Sequence, residues 1–324
     1  MSFAKWLVSE DNPLTARVVA NRHWQAFFGT GIVKTVDDFG LQGEPPTHPE
    51  LLDYLAVSLM RDGWSIKKLH RRIVSSSVYR QSSATDTAAA VIDPDNRWLT
   101  YMPRFRLDAE ILRDSMLVGA GMLNRKLGGP PVRPPQPAGV TEVAYGAPKW
   151  DASSGADRYR RSLYTFSKRT APFAMFSAFD APSGEACLAQ RTRSNSPLQA
   201  LTLLNDLMVI ELSRATGDRF GLSQETEVAA DSDSPNAVEG PSVDAQLSRM
   251  FRAALTREPT PAELEMLRKF LEAQVTAFKS NPTAVAKFLA IDESTEVKST
   301  DIQRAAWTAT ARVLFGLDEF QPRE

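Results

Sequence analysis

The sequence predicts a mainly α fold, an irregular multi-helix domain with a Pro/Gly-rich segment and at most a small β-hairpin. Three observations predict it. Apolar residues recur at helical spacing through most of the chain. Several of these stretches open on residues that cap helices. One long segment, "LGGPPVRPPQPAGVTEVAYGAPKWDASSGAD", is too rich in Pro and Gly for regular helix.

The first helix is predicted over 13–28, in "DNPLTARVVANRHWQAFFGTG". Asn12 stands at its N-cap and Pro13 at its first position, Ala16, Ala20, Trp24 and Phe27 form one apolar stripe, and Gly29 or Gly31 ends it. The second, over 48–61, opens with Thr47 as N-cap and Glu50 three residues on, a capping box, and turns Leu51, Leu52, Leu55, Leu59 and Met60 inward. The third covers 66–79 with Ile66, Leu69, Ile73 and Val74 inward. After a polar stretch at 82–96, "RLDAEILRDSMLVGAGMLN" predicts a helix over 108–124.

Past the Pro-rich segment, "YRRSLYTFSKRT" alternates as a strand does. "SNSPLQALTLLNDLMVIELSRATGDRF" carries the strongest helix signal, over 197–215, with Ser196 as cap, Pro197 at the first position and Gln199 completing a capping box. The acidic "GLSQETEVAADSDSPNAVEGPSVD" reads as a loop or linker. Two further helices follow, the second capped by Thr260 with Glu263, and another over 302–315 closes the chain. No repeat of fixed period occurs. The helices at 13–28, 48–61, 66–79, 108–124, 197–215 and 302–315 are expected to share one core. The organisation expected is a helical core over 1–220 with a Pro-rich insert, an acidic flexible loop over 221–243, and C-terminal helices over 244–324 packed on the core.

Bulk properties exclude some classes of partner. The formal net charge is −1 over 324 residues, so no long-range field favours nucleic acid or a membrane surface. Charge is uneven, with 17 Lys/Arg against 11 Asp/Glu over 97–220 and 11 against 17 over 221–324, which makes the middle of the chain the better place to hold an anion. Cys187 is the one cysteine, so no internal disulfide forms, and with no histidine near it in sequence it is expected to be a small buried hydrophobe. No CxxCH attaches a haem. No apolar run spans a bilayer, and "MSFAKWLVSEDNPL" lacks the pattern of a signal peptide.

Several polar groups carry candidate chemistry. Glu44 and His48 flank two prolines in "GEPPTH", which suits an acid–base pair or a metal site on a stiff loop; the entrance of a helix explains the same residues and is the expected reading. The histidines are His23, His48 and His70, with no HxH or HExxH spacing, so no metal and no cofactor is expected. Arg17, Asn21 and Gln25 recur at i, i+4 and i+8 as an exposed polar stripe that could hold a ligand. Asp108, Glu110, Arg113 and Asp114 fall within two helical turns. Arg113 is expected to pair with Glu110, while Asp108 and Asp114 are candidates for the paired carboxylates of glycoside hydrolysis. In "KRTAPFAMFSAFDAPSGEACLAQRTRSNSPLQ", Lys168, Arg169, Arg191 and Arg193 bracket three phenylalanines, with Asp180, Asn195 and Gln199 nearby. Guanidinium groups beside the helix start at Pro197 form a candidate anion site, with Asp180 or Glu185 as the internal alternative to an external anion.

Taken together, "NPLTARVVANRHWQAFFGTGIVKTVDDFGLQGEPPTHPELLDYL", "GWSIKKLHRRIVSSSVYRQSS", "RLDAEILRDSML", "RRSLYTFSKRT", "FDAPSGEACLAQRTRSNSPLQALTLLND" and "AWTATARVLFGLDEF" resemble, in this order, the family called domain of unknown function 1553. The resemblance covers nearly the whole chain. It implies a C-terminal part of large planctomycete and verrucomicrobial proteins, usually exported, that carry a cytochrome-c-like domain and a second uncharacterised domain. It also implies a setting alongside sulfatases and polysaccharide-degrading systems, and no established activity. His23 stands where the family usually has an aliphatic residue, and Gly184 where it commonly has Arg. Without the N-terminal domains the chain is expected to be a fragment or a stand-alone version. The leading expectation is a non-catalytic module that holds an anionic saccharide or a partner redox domain; a polysaccharide hydrolase and a structural scaffold are the alternatives.

Overall fold

The computed structural model describes residues 2–85, 87–137, 139–140, 150–169, 171–222, 241–292 and 295–323. The described residues are mainly helical, and their β structure is limited to two two-residue strands, Phe105–Arg106 and Pro322–Arg323, and isolated parallel bridges from Asn124 to Arg160 and from Val132 to Thr165. Most of the acidic stretch expected to be loose, 223–240, lies outside the described residues. The chain divides into two compact units, one of Met1–Phe105 with Leu188–Gln190 and Pro322–Glu324, the other of Arg106–Cys187 with Arg191–Gln321. The single core expected for the six helices is therefore two, because the apolar faces before and after residue 105 close on separate sets of partners.

In the first unit the helices are α1 (Ser2–Leu7), α2 (Thr15–Phe28), α3 (Pro49–Arg61), α4 (Ile66–Val74) and α5 (Thr87–Ile92). Ala20, Trp24 and Phe28 of α2 meet Leu52, Leu55 and Leu59 of α3 and Leu69 and Ile73 of α4, with Ile32, Val33 and Met102 from loops completing the core. Helix α2 starts two residues later than expected, yet Asn12 still caps the turn: its side-chain oxygen accepts from Leu14 N–H at 2.9 Å and Thr15 N–H at 3.0 Å. The capping box at Thr47 does not form. Pro49 occupies the first turn and moves the N-cap to His48, which leaves Thr47 in a bend outside the helix. Its N–H and hydroxyl both donate to the Ile32 carbonyl, at 2.9 and 3.3 Å. Helix α4 stops at Val74, short of residue 79, where the Ser75 and Ser76 hydroxyls take the Arg71 and Ile73 carbonyls at 2.6 Å each, a local competitor of helix propagation.

Between α2 and α4, His70 Nε2 and His23 Nδ1 share a hydrogen bond of 2.9 Å. Burial, and next the charge of His70, hold the His23 imidazole below its usual range.

The second unit contains α6 (Ala109–Gly119), α7 (Ala174–Ala178), α8 (Pro197–Asn205), α9 (Leu207–Gly221), α10 (Val243–Leu255), α11 (Pro261–Lys279), α12 (Pro282–Leu289) and α13 (Ser299–Gly316). Leu112, Met116 and Leu117 of α6, Val209 and Leu212 of α9, Leu247 and Met250 of α10 and Leu314 and Phe315 of α13 fall in one cluster. Helix α13 is buried over most of its circumference, including Ala305, Ala306, Thr308, Ala309, Thr310 and Ala311. Its small residues admit α9 closely. A Cβ added at Gly217 would lie 2.8 Å from the Thr308 backbone nitrogen, so glycine is needed there. The capping box of α11, Thr260 with Glu263, forms as expected.

Three expected elements of secondary structure are corrected in this unit. The helix over 108–124 ends at Gly119, because Gly121 turns left-handed at φ 72° and Met122 N–H returns to the Leu117 carbonyl at 2.9 Å. The helix over 197–215 is broken at Asp206, whose extended backbone frees its carboxylate to accept from Met208 and Val209 N–H at 2.9 and 3.4 Å and so cap α9. Burial raises the Asp206 pKa against the opposing pull of these N–H bonds.

The third correction is the strand at "YRRSLYTFSKRT": its described residues form isolated bridges at Arg160 and Thr165 in place of a strand, with 3-10 turns at Gly155–Tyr159 and Ser162–Tyr164. Their arginines explain why. Prolines in the neighbouring segment have no N–H, so that segment is rich in carbonyls and poor in donors, whereas a guanidinium has five donors and no acceptor. Arg160, 1% exposed, donates to the Pro130 carbonyl at 2.9 Å and to the Lys126 and Gly128 carbonyls, and its guanidinium lies over the Tyr164 ring. Arg113, 0% exposed on α6, reaches from the other side: to the Arg160 carbonyl at 2.9 Å, the Ser162 hydroxyl and Arg158 carbonyl at 3.2 Å, and Met208 Sδ at 3.0 Å. The expected Arg113–Glu110 pair does not form, since Arg113 points into the core. Burial pushes its pKa down to about 10, so it stays charged at neutral pH.

Two predictions follow from this packing. Arg113→Ala would leave buried acceptors without donors, and is expected to cost at least about 3 kcal/mol in urea unfolding; a loss below about 1 kcal/mol would contradict the role given to it. For the histidine pair, the folded chain keeps His23 neutral while the unfolded chain takes a proton below about pH 6.5. Stability is therefore present above that pH and lost as pH falls through it toward the lower folded value. Melting temperatures from pH 8 to pH 5 are expected to fall more steeply for the wild type than for His23→Gln; parallel curves would contradict this.

Candidate functional site

The candidate residues divide between two clefts with polar walls, one in each unit. In the second unit a cleft of about 450 Å³ is lined by Asp108, Glu110 and Asp114 of the α6 region, Arg161, Arg191, and Phe166, Phe173 and Phe176. Its charges are matched internally. Arg191 grips Glu110 through two bonds, at 2.6 and 3.1 Å, and its Nη1 lies 3.6 Å from Asp108. The Glu110 bond, the largest cause, raises the Arg191 pKa. Arg193 lies 3.5 Å from the other Asp108 oxygen. Asp114 accepts the Ser162 N–H at 2.7 Å and faces Arg161 at 3.6 Å. A carboxylic acid that holds a proton for glycoside chemistry needs an environment apart from cations. Asp108 and Asp114 stand against guanidinium groups instead.

The anion expected near the start of α8 is supplied by the chain itself. Asp180, left-handed at φ 58°, accepts from Arg106 at 2.6 Å, from Ser194 N–H at 2.8 Å and from the Ser194 hydroxyl at 2.9 and 3.0 Å. Burial works to raise its pKa, but the Ser194 and Arg106 bonds hold it below the usual carboxylate range. Gln199 joins the knot, donating to Ser194 Oγ at 3.1 Å and Asp180 at 3.4 Å, while its amide oxygen accepts the Ser196 N–H at 3.3 Å. The cation on Asp180 is Arg106, which the sequence did not single out. Arg169 and Asn195 are exposed or half-buried and make no hydrogen bond among the described residues. Cys187 is exposed, not buried, because the loop that carries it runs along the surface.

In the first unit the polar stripe of α2 comes apart. Arg17 makes an exposed pair with Asp53 at 2.6 Å. Asn21 is 0% exposed and clasps one residue of the following loop, donating to the Val33 carbonyl and accepting the Val33 N–H, both at 2.9 Å. Gly31 fits beneath this clasp, where a Cβ would meet Asn21 Nδ2 at 2.6 Å and the Val33 carbonyl at 2.5 Å. Asn21 is therefore a backbone partner and is not available to a ligand.

The clasp and the Thr47–Ile32 bonds fix one wall of a cleft of about 310 Å³, with Trp24 and Phe28 at its floor and Lys34, Glu44 and His48 on this side. Asp95, Arg97 and Tyr101 line it from the loop after α5. His48 is half-buried and its Nδ1 lies 3.0 Å from the Thr47 hydroxyl. The side chains of Lys34, Glu44, Asp95 and Arg97 make no hydrogen bond or ion pair among the described residues. Glu44 and His48 are thus brought to one cleft. Lys34, Asp95 and Arg97 were not anticipated. The turn-forming "DPDN" before Arg97 signals a loop, but nothing local says that it faces residues some fifty positions earlier.

Among the described residues no group of three or more His, Cys, Asp or Glu could hold a metal ion, and no helix is long and apolar enough to cross a membrane. The model of the family described as PSD1, protein of unknown function (DUF1553), matches residues 1–271, and the chain belongs to that family. No curated protein and no solved structure matches it.

The division of labour on α2 is testable. Asn21→Ala leaves two buried backbone groups unpaired and is expected to cost about 2–3 kcal/mol, while Arg17→Ala, which removes an exposed pair, is expected to cost under about 0.5 kcal/mol. Equal losses in denaturant unfolding would contradict the assignment.

Proposed function

We propose that the chain is a non-catalytic binding module whose ligand site is the Glu44–His48 cleft, and that the ligand is a saccharide carrying carboxylate or sulfate groups. One observation carries this reading: Lys34, Glu44, Asp95 and Arg97 of this cleft keep side chains without a hydrogen bond or ion pair among the described residues, whereas the acids and arginines of the other cleft are matched to one another. Lys34 and Arg97 supply cations for the acidic group, and Arg104 lies on the same wall. Glu44, Asp95, His48 and Tyr101 supply acceptors and donors for hydroxyls. The resemblance to a family set alongside sulfatases and polysaccharide-degrading systems supports the saccharide.

Titration with sulfated and uronic oligosaccharides, against neutral ones of the same length, tests this. The acidic sugars are expected to stabilise the chain by about 2.7 kcal/mol at a hundredfold excess over Kd. Lys34→Ala and His48→Ala are expected to weaken binding about tenfold or more at an unchanged melting temperature, and Arg191→Ala to leave it intact. No stabilisation by any acidic sugar, or a loss confined to Arg191→Ala, would overturn the proposal.

A further inference from the structure

The loop after α5 does more than close the Glu44–His48 cleft. Its outer face forms a second depression of about 430 Å³, and Thr47, Pro94, Asp95 and Arg97 line both. The second depression adds Ile92 and Trp98, exposed by 72% and 64%. The same few residues are thus a wall shared by two adjoining hollows, one charged, the other bearing an indole ring open to solvent.

The backbone that carries that ring is held by buried polar groups. Asp93 is only 6% exposed, and its two carboxylate oxygens accept the backbone N–H groups of Arg97 at 2.9 Å and Trp98 at 2.8 Å. Asn96 is buried in the left-handed region at φ 48°; it donates to the Tyr101 carbonyl and accepts the Thr100 N–H, both at 2.9 Å. Leu99 is also left-handed, at φ 54°, a conformation that a bulky residue adopts only when its surroundings hold it there; Gln81 fixes its carbonyl at 2.8 Å. Two buried polar side chains and two left-handed residues are therefore spent on a turn that leaves a tryptophan outside the core. Burying an indole is favourable, so a loop that holds one out rigidly is preorganised to cover it with something else.

We infer that Trp98 is the stacking platform of a second subsite, continuous with the Glu44–His48 cleft, and that the ligand is an extended chain of sugar rings rather than a single acidic sugar. The inference rests on the binding reading above and adds the length of the ligand and the residue that senses it. The C–H face of a pyranose ring lies flat on an indole, and the next ring along would pass the Asp95–Arg97 wall to reach Lys34 and Glu44. An aromatic ring with only two torsions, on a backbone already held, loses little freedom when covered.

A length series of uronic oligosaccharides, from two rings to eight, separates this from the reading beneath it. Affinity measured calorimetrically is expected to rise with length in the wild type. Trp98→Ala is expected to match the wild type for the shortest ligand and to fall about fivefold to tenfold behind it for the longest. Lys34→Ala is expected to weaken every length alike. Trp98→Leu serves as a second variant that keeps the loop apolar, and in both variants amide exchange at positions 97 and 98 reports whether the turn stays formed. Binding that does not depend on length, or a Trp98→Ala loss equal at all lengths with the turn intact, would overturn the second subsite while leaving the first. Equal affinities of wild type and Trp98→Ala throughout a rising length series would also overturn it, and would leave the exposed Ile92–Trp98 surface to a protein partner. No binding of any length by the wild type would overturn the binding reading itself.

Discussion

A backbone N–H or carbonyl taken out of water must find a partner, and this chain takes long irregular segments out of water. Helices meet that requirement by their own ladders. The segments between them cannot, so buried side chains do it: Asn21 for Val33, Asp93 for Arg97 and Trp98, Asn96 for Thr100 and Tyr101 in the first unit, and Arg113 and Arg160 for the Pro-rich segment and the turns beside it in the second. Each choice follows the chemistry of what is missing. Where one residue offers both a donor and an acceptor, an amide answers with both. Where two N–H groups point inward, a carboxylate takes them. Where prolines leave carbonyls without neighbouring donors, guanidinium groups arrive. These residues are polar and buried because the loops need them.

That requirement also sorts the candidate functional residues. Arg191, Arg193, Asp108, Glu110, Asp180 and Gln199 form a cluster that resembles a ligand site in composition, but its members answer one another. Charges that are already matched gain little from an external ion, since the ion must displace a partner fixed at close range. The groups beside Glu44 and His48 are in the opposite state. The walls around them are tied down by buried bonds, while the tips of Lys34, Glu44, Asp95 and Arg97 are left without partners among the described residues. Rigid support with unspent functional groups is the arrangement that binding favours.

The periodic helices were legible in the sequence, and so were the caps at Asn12 and at Thr260 with Glu263. What escaped was long-range. The partner of Glu110 is 81 positions away at Arg191, so the helical neighbour Arg113 looked like the natural mate. Asn21 and Arg113 sit in amphipathic stretches where polar residues usually face water, and only the tertiary demand of a distant loop turns them inward. Asp206 interrupts a flawless apolar period, because a carboxylate that caps the next helix is indistinguishable in sequence from one on an exposed face. The apparent strand at 159–170 failed for the same reason, its alternation recording which arginines reach carbonyls and not a pleat. Glu44 and His48 were legible as a pair; the cations that complete their cleft were not.

Amide hydrogen exchange with and without an acidic oligosaccharide tests this account most directly, since it reads both the loops and the site at once. In the free chain, the amides of Val33, Arg97, Trp98 and Thr100 are predicted to exchange slowly although none lies in a helix. On adding the sugar, further protection is predicted over 30–48 and 92–104, with no change over 106–114 and 180–199. Fast exchange of those loop amides in the free chain, or protection that appears at 180–199 in place of the first unit, would contradict it.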